Sequence, residues 1–173
     1  MIIRPCEESD IPAITAIYGH WVTHGRASFE LEAPAEAEIA RRRAAVLDGG
    51  YPYLVAEEEG EILGYAYATA YRPRPAYRFT VENSVYVRPG GARRGAGRAL
   101  LDALIEECTR RGFRLMVAVI GDSANNPSIG LHAAAGFTHT GVLPGIGWKH
   151  EQWLDTVLMT RELGEGRSTP PVG

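Results

Sequence analysis

Apolar positions in the first part of the chain predict a short strand followed by two helices. Residues 2–4 predict the strand. After the N-cap candidates Ser9 and Asp10, apolar residues recur near helical spacing and predict the first helix. These residues are Ile11, Ile14, Ile17, Tyr18 and Trp21. Residues 35–47, rich in Ala, Glu and Arg and followed by the glycine pair 49–50, predict the second helix.

Strand-like runs dominate the middle of the chain. Residues 53–56 and 62–67 are joined by a short polar connector, which predicts an antiparallel hairpin. The Arg-Pro-Arg-Pro sequence at 72–75 predicts a loop, and residues 79–87 resume as a strand. Residues 115–120 are almost wholly apolar, which is typical of a strand covered on both faces.

The remaining elements follow from a strong helical period and from punctuating glycines. A helix that ends at Gly112 has one apolar face, formed by Leu100, Leu101, Leu104, Ile105 and Cys108. A short helix is predicted over 127–135, stopped by Gly136, and residues 137–163 predict two strands around a loop at 145–147. The element order predicts one mixed α/β (α+β) domain with a central, partly antiparallel sheet.

Composition and charge exclude several classes of protein. The 173 residues include 45% hydrophobic and 23% charged residues, and 18 basic against 21 acidic residues give a net charge of −3. We therefore expect no nucleic-acid partner, since an overall basic field is missing. No apolar run reaches the roughly 20 residues of a membrane span, and no secretory signal is visible, so no membrane partner is expected. Cys6 and Cys108 form no CxxC pair, which favours a cytoplasmic location.

The sharpest feature is a glycine-rich basic loop between a strand and a helix. Residues 88–98 carry four arginines and no carboxylate, and the helix that follows offers unpaired N–H groups. This arrangement favours a polyanion such as a pyrophosphate. Ala96 stands where a Walker motif needs lysine, and Leu100 where a dinucleotide fingerprint needs glycine.

The loop at 92–97, Ala-Arg-Arg-Gly-Ala-Gly, resembles the acyl-CoA loop of the GNAT N-acetyltransferase superfamily, with Ala in place of the usual Gln or Arg. Residues 125–128 and 131–137 resemble its second cofactor motif. The resemblance implies a central mixed, mostly antiparallel twisted sheet flanked by about four helices, with acetyl-CoA as co-substrate. No metal is expected, because no HExxH glutamate or third ligand accompanies His20 and His24. The cofactor-binding residues that the resemblance implies are Val85, Tyr86, Val87, Arg93, Arg94, Gly95, Ala96, Gly97, Arg98 and Asn125.

Residues 71–78 and 80–87 resemble more closely the branch that acetylates phosphinothricin and methionine sulfoximine or sulfone, and the match extends over about residues 2–162. The resemblance implies a substrate site formed by Arg72, Pro73, Arg74, Glu82, Asn83 and Ser84. Arg74 stands where an aromatic residue is common. Glu82 would be the base that deprotonates the amine, since acetyl transfer needs a neutral amine. The alternative is a solvated strand carboxylate.

Two further groups complete the expected chemistry. The resemblance implies that a backbone N–H on the strand before the loop, that of Val87, stabilises the oxyanion of the tetrahedral intermediate. His132 is a candidate for protonating the leaving thiolate, because imidazole titrates near neutral pH. A histidine packed within its helix is the alternative.

The expected function is direct transfer of the acetyl group from acetyl-CoA to the amine of a small amino-acid-like substrate. Two alternatives stay open: acetylation of another amine, such as a polyamine or a protein N-terminus, and a non-catalytic acyl-CoA-binding domain. Residues 1–163 would form the GNAT domain and residues 164–173 a disordered tail. Related enzymes suggest a homodimer.

Overall fold

The computed structural model describes residues 1–91 and 94–173. Its helices are α1 (Ile11–His24), α2 (Glu36–Asp48), α3 (Ala96–Arg110) and α4 (Asn126–Ala134). Its strands are β1 (Ile2–Pro5), β2 (Tyr53–Glu58), β3 (Glu61–Ala70), β4 (Thr80–Val87), β5 (Leu115–Gly121), β6 (Thr138–Lys149) and β7 (Gln152–Glu162). None of the helices in these ranges is long and apolar enough to cross a membrane.

The strands form one seven-stranded sheet in the order β1-β2-β3-β4-β5-β7-β6. Neighbours in the sheet are antiparallel except β4 and β5, which run parallel. The mixed, mostly antiparallel sheet expected from the sequence is therefore confirmed.

The parallel pair separates before either strand ends. Its register runs from Thr80 opposite Leu115 to Asn83 opposite Ala118 and stops there. β4 continues beside β3 as far as Val87, while β5 continues beside β7. A gap, here called the wedge, therefore opens between residues 84–87 of β4 and residues 119–121 of β5.

Two apolar clusters hold the helices against the sheet. The first centres on the predicted apolar face of α3, where Leu100, Leu101 and Leu104 are fully buried. The second joins α1 and α2 to the sheet through residues such as Ile14 and Tyr65. Together the clusters fix the strands on either side of the wedge.

The predicted loop at 145–147 is wrong, because these residues lie within β6 at a shift in register. The hairpin turns instead at His150 and Glu151, whose φ angles of 51° and 58° suit a two-residue turn between Lys149 and Gln152. The sequence hides this turn because neither residue is the Gly or Asn that usually occupies such positions.

Two other expectations concern β5 and the C-terminus. β5 is not covered throughout, because Val119 faces the wedge and is 40% exposed. Residues 164–173 contain no helix or strand. Arg114 donates hydrogen bonds to the carbonyls of Gly166 and Pro170. Disorder of this tail stays a prediction.

Candidate active site

The wedge opens into a cavity of about 430 Å³. Its walls come from five parts of the chain, which are Tyr18 with loop residues 27–30, β4 residues 82–86, β5 residues 118–121, the α4 side with Asn125, Ser128 and His132, and Thr156 of β7. The cavity thus lies where two parallel strands diverge, with backbone groups of β4 along one side.

The N–H of Val87, the last residue of β4, points into the wedge, because hydrogen-bonded and non-bonded residue pairs alternate between β3 and β4. Arg88 N–H donates to the carbonyl of Leu63 at 2.8 Å, so Val87 and Gly64 form the adjacent, non-bonded pair. The N–H and C=O of Val87 therefore point away from β3. Trp21 confirms the direction, since its indole Nε1 donates to the Val87 carbonyl at 2.7 Å. The Val87 N–H can donate to a developing oxyanion in the wedge.

Glu82 places a carboxylate at the start of the wedge. Its side chain is half-buried on β4, and burial raises its pKa above the ordinary value of 4.5, while the charge of Arg72 opposes that rise. Within residues 1–91 and 94–173 it has no hydrogen bond or ion pair. A carboxylate with a raised pKa and free oxygens suits a general base.

His132 lies deep in the wall of the cavity and is 3% exposed. Its Nδ1 is 2.8 Å from the carbonyl of Ser128 and its Nε2 is 3.0 Å from Oδ1 of Asn83. The ring also packs edge-on against Phe137. Burial lowers the pKa of His132, which favours the neutral ring. A neutral ring has one N–H and can donate to only one of these two oxygens, so proton donation to a thiolate would require that contact to open.

Asn125 ends the turn that follows β5 and caps α4. Its side-chain oxygen accepts a hydrogen bond from Ser128 N–H, and its amide nitrogen donates to the carbonyl of Gly121, each at 3.3 Å. These two bonds hold the start of α4 against the end of β5, where Asn125 lines the cavity.

The glycine-rich loop leads into the N-terminus of α3. Gly95 caps this helix with a φ of 76°, a left-handed conformation that favours glycine. Ala99 N–H is bonded to the Gly95 carbonyl, whereas the amides of Ala96, Gly97 and Arg98 have no acceptor among the described residues. Amides at a helix N-terminus suit an anion, and anion binding at this loop stays a prediction.

The three described arginines of this loop, Arg88, Arg94 and Arg98, are already paired with protein groups. Arg88 lies 2.6 Å from Glu61 and Arg94 lies 3.0 Å from Glu58, both on the β2–β3 hairpin. Arg98 contacts Asp102 and donates to the carbonyl of Ala134. The predicted residue Arg93 lies outside the described residues. Anion binding at this loop therefore rests first on the helix amides.

The predicted substrate loop lies at the surface rather than in the cavity wall. Arg72, Pro73 and Arg74 are exposed, and none of them lines the cavity. The Arg72 guanidinium lies 5.2 Å from the centre of the Tyr71 ring. In contrast, the predicted residues Glu82, Asn83 and Ser84, together with Val85 and Tyr86, do line the cavity.

Sequence reasoning missed the wall formed by residues 27–30 and by Tyr18. Tyr18 was predicted only as part of a helix face, yet its hydroxyl bonds to both Ser28 and Glu30. Arg42 also pairs with Glu30 at 2.7 Å, and Arg42 is the main cause of the lowered pKa of that carboxyl. Residues 27–30 carry no motif, so no local signal marked them.

Comparisons with known proteins identify the family. Residues 16–137 match the model of the acetyltransferase (GNAT) family. A phosphinothricin N-acetyltransferase of Alcaligenes faecalis is 53% identical over 169 residues, covering 98% of this chain and 86% of the relative. An L-methionine sulfoximine/L-methionine sulfone acetyltransferase of Salmonella typhimurium is 42% identical, covering 95% of this chain and 96% of the relative.

Solved structures agree with these matches. The crystal structure of a GNAT superfamily phosphinothricin acetyltransferase from Sinorhizobium meliloti in complex with AcCoA has a TM-score of 0.96 and 46% identity to this chain. The alignment covers 99% of this chain and 92% of that one. The wedge, the capped α3 terminus and these relatives lead to one conclusion: the chain belongs to the GNAT acetyltransferase family.

Proposed function

We propose that this enzyme transfers the acetyl group of acetyl-CoA to the α-amine of a small amino-acid-like substrate of the phosphinothricin or methionine sulfoximine/sulfone type. The observation that carries the proposal is Glu82, a half-buried carboxylate beside the wedge with a raised pKa and no hydrogen bond or ion pair to the described residues. The names of the relatives support the substrate class.

The residues present fit acetyl-CoA as co-substrate. The amides of Ala96, Gly97 and Arg98 at the α3 terminus would hold its pyrophosphate, and Asn125 would contact its pantetheine arm. Val85, Tyr86 and Val87 would bind along the edge of β4, with Arg94 and Gly95 in the loop. Arg93 belongs to the same proposed set.

The chain's own groups then supply the chemistry of direct transfer. Glu82 accepts a proton from the substrate ammonium, directly or through one water, which frees the nitrogen lone pair to attack the thioester carbonyl carbon. The Val87 N–H donates to the oxyanion that forms. Collapse of the tetrahedral intermediate breaks the C–S bond. The nitrogen, positively charged after the attack, releases its second proton as the amide forms, and the thiolate takes up one proton. His132 remains the candidate donor to the thiolate, and the proton released by the nitrogen would restore its ring.

We propose that the loop with Arg72, Pro73 and Arg74 selects the substrate from the mouth of the cavity. Arg72 is close enough to Glu82 for its charge to lower the pKa of that carboxyl. Asn83 and Ser84 extend the same substrate site inside the cavity. Guanidinium groups suit carboxylate, phosphinate and sulfone oxygens.

A thiol-release assay with acetyl-CoA and a panel of amines tests the proposed function. We expect the highest kcat/KM with phosphinothricin, methionine sulfoximine or methionine sulfone. Preference for peptides or polyamines would favour acetylation of another amine. Binding of acetyl-CoA without turnover of any amine would favour a non-catalytic acyl-CoA-binding domain.

The quaternary proposal is a homodimer. Ile146, Trp148 and Trp153 on β6 and β7 are 55%, 55% and 67% exposed, and such clustered apolar side chains are typical of a partner surface. We expect Trp153→Glu to shift a dimer to a monomer in analytical ultracentrifugation, and a monomeric wild type would contradict the proposal. A cytoplasmic location stays a prediction.

A further inference from the structure

Among the described residues that line the cavity, no lysine or arginine is present to receive a substrate carboxylate, and burial favours the neutral form of His132. The ionisable carboxyls among these lining residues are Glu30 and Glu82. Arg42 neutralises Glu30 from outside the cavity. An amino-acid substrate would bring its own carboxylate into this space, where backbone N–H groups and charges behind the wall could receive it.

Lys149 lies behind that wall. It is the only lysine in the chain, it is 4% exposed, and it does not line the cavity. Its ammonium donates to the carbonyl of Ser28 at 2.7 Å. Burial lowers the pKa of Lys149 and so disfavours the ammonium, while the charge of Glu30 favours it. The hydrogen bond from Lys149 fixes the position of the Ser28 carbonyl in the cavity wall.

Two glycines bring the wall into contact with the sheet. A Cβ atom at Gly121 would lie 2.6 Å from the Ala27 carbonyl, and one at Gly147 would lie 2.5 Å from the Phe29 ring. The loop at residues 27–30 is thus seated against β5 and β6, between Lys149 and the cavity. His150, on the same hairpin, contacts the carbonyl of Gly25 at the start of this loop.

The peptide bond between Ser28 and Phe29 connects the Lys149 ammonium to the cavity side of the loop. In a trans peptide the C=O and the following N–H point in opposite directions, and the chain contains no cis peptide among its described residues. Since the Ser28 carbonyl points to Lys149, the Phe29 N–H points to the opposite side of the loop, where Ser28 and Phe29 line the cavity. This N–H has no acceptor among the described residues.

We propose that the Phe29 N–H binds the α-carboxylate of the substrate, and that Lys149 is the positioning residue that orients and polarises this peptide. The inference rests on the proposed function and adds a carboxylate subsite to it. Because hydrogen bonds to charged groups strengthen in a low dielectric, the ammonium behind the peptide strengthens its donor. The loop with Arg72 would then contact the opposite, side-chain end of the substrate.

The test compares L-methionine sulfone with its α-carboxamide in wild type, Lys149→Met, Lys149→Arg and the matched control His150→Gln. The readout is the ratio of kcat/KM for the acid to that for the amide, which global destabilisation does not change. We expect wild type to prefer the acid, and Lys149→Met to lower the acid-to-amide ratio about tenfold through an increase in KM for the acid. Lys149→Arg should restore part of this ratio. His150→Gln should have the wild-type ratio.

Three outcomes would overturn the subsite. One is an unchanged ratio in folded Lys149→Met, or an equal loss on both substrates. The second is turnover by wild type without preference for the acid, which rejects the subsite and leaves the proposed function standing. The third is loss of the preference in Arg72→Gln, a variant that tests the idea even where Lys149→Met does not fold. Turnover of neither compound, and of neither phosphinothricin nor methionine sulfoximine, would reject the proposed function and the subsite with it.

Discussion

Replacing Glu82 with glutamine removes the proposed base and keeps the shape of the side chain. The other lining groups that could accept a proton are engaged, since Glu30 is paired with Arg42 and both nitrogens of His132 have partners. We therefore expect no substitute base within the cavity. General bases contribute about 10²–10⁴-fold, so turnover at neutral pH should fall by at least about 100-fold.

The pH dependence makes this prediction specific. The raised pKa of Glu82 means that wild-type kcat/KM should fall, as pH is lowered, at a pH above the ordinary carboxyl value of 4.5. Glu82→Gln should lose this acid limb and regain part of its activity at high pH, as free amine accumulates. Arg72→Gln should move the limb to still higher pH, because Arg72 stabilises the ionised carboxylate.

The assay is thiol release measured from acid to alkaline pH, with acetyl-CoA binding measured by calorimetry as the control. Binding of acetyl-CoA should be near that of wild type in Glu82→Gln, since the carboxylate acts on the amine. Turnover within a few-fold of wild type at neutral pH, or an unchanged acid limb, would refute the role of Glu82 as base.

Three further predictions concern the cofactor loop, substrate choice and stability. Gly95→Asp should abolish acetyl-CoA binding, because it places a carboxylate at the α3 terminus. Gly112→Asp is the matched control, because Gly112 also has a positive φ, of 87°, but lies at the opposite end of α3. It should retain acetyl-CoA binding, and equal affinities in the two variants would refute the placement of the cofactor. Arg74→Phe should change the ranking of kcat/KM toward less charged substrates, and an identical ranking would mean that Arg74 does not select substrate. Since burial lowers the pKa of His132, the unfolded state binds more protons below about pH 6.5, so the free energy of unfolding should decline as pH falls from there to the lowered value. His132→Gln should flatten this slope in denaturant titrations, and an unchanged slope would contradict it.

Local sequence patterns predicted the elements that hold the site. The apolar period of α3 and the glycines before it located a helix terminus suited to an anion, and Gly95 does adopt the expected turn. The strand around Glu82 was also predicted, because its alternation and its flanking loop are encoded within a few residues. Such features need no information from distant parts of the chain.

The wedge and the wall at residues 27–30 could not be predicted in this way. The wedge exists because the β4–β5 register stops at Asn83 and Ala118, and pairing of strands that are distant in sequence leaves no local pattern. The wall is held by Lys149 and seated on Gly121, both about a hundred residues away in sequence. The sequence of residues 27–30 by itself predicts only an irregular connection between α1 and α2.

The most direct test of the account is the position of the substrate amine in a ternary complex. A crystal structure with CoA and L-methionine sulfone would measure the distance from the amine nitrogen to the Glu82 carboxylate. We predict about 2.6–3.2 Å, or the same reach through one bridging water, with the amine in the wedge beside the Val87 N–H. An amine bound outside the wedge, beyond the reach of Glu82 even through a water, would contradict the account.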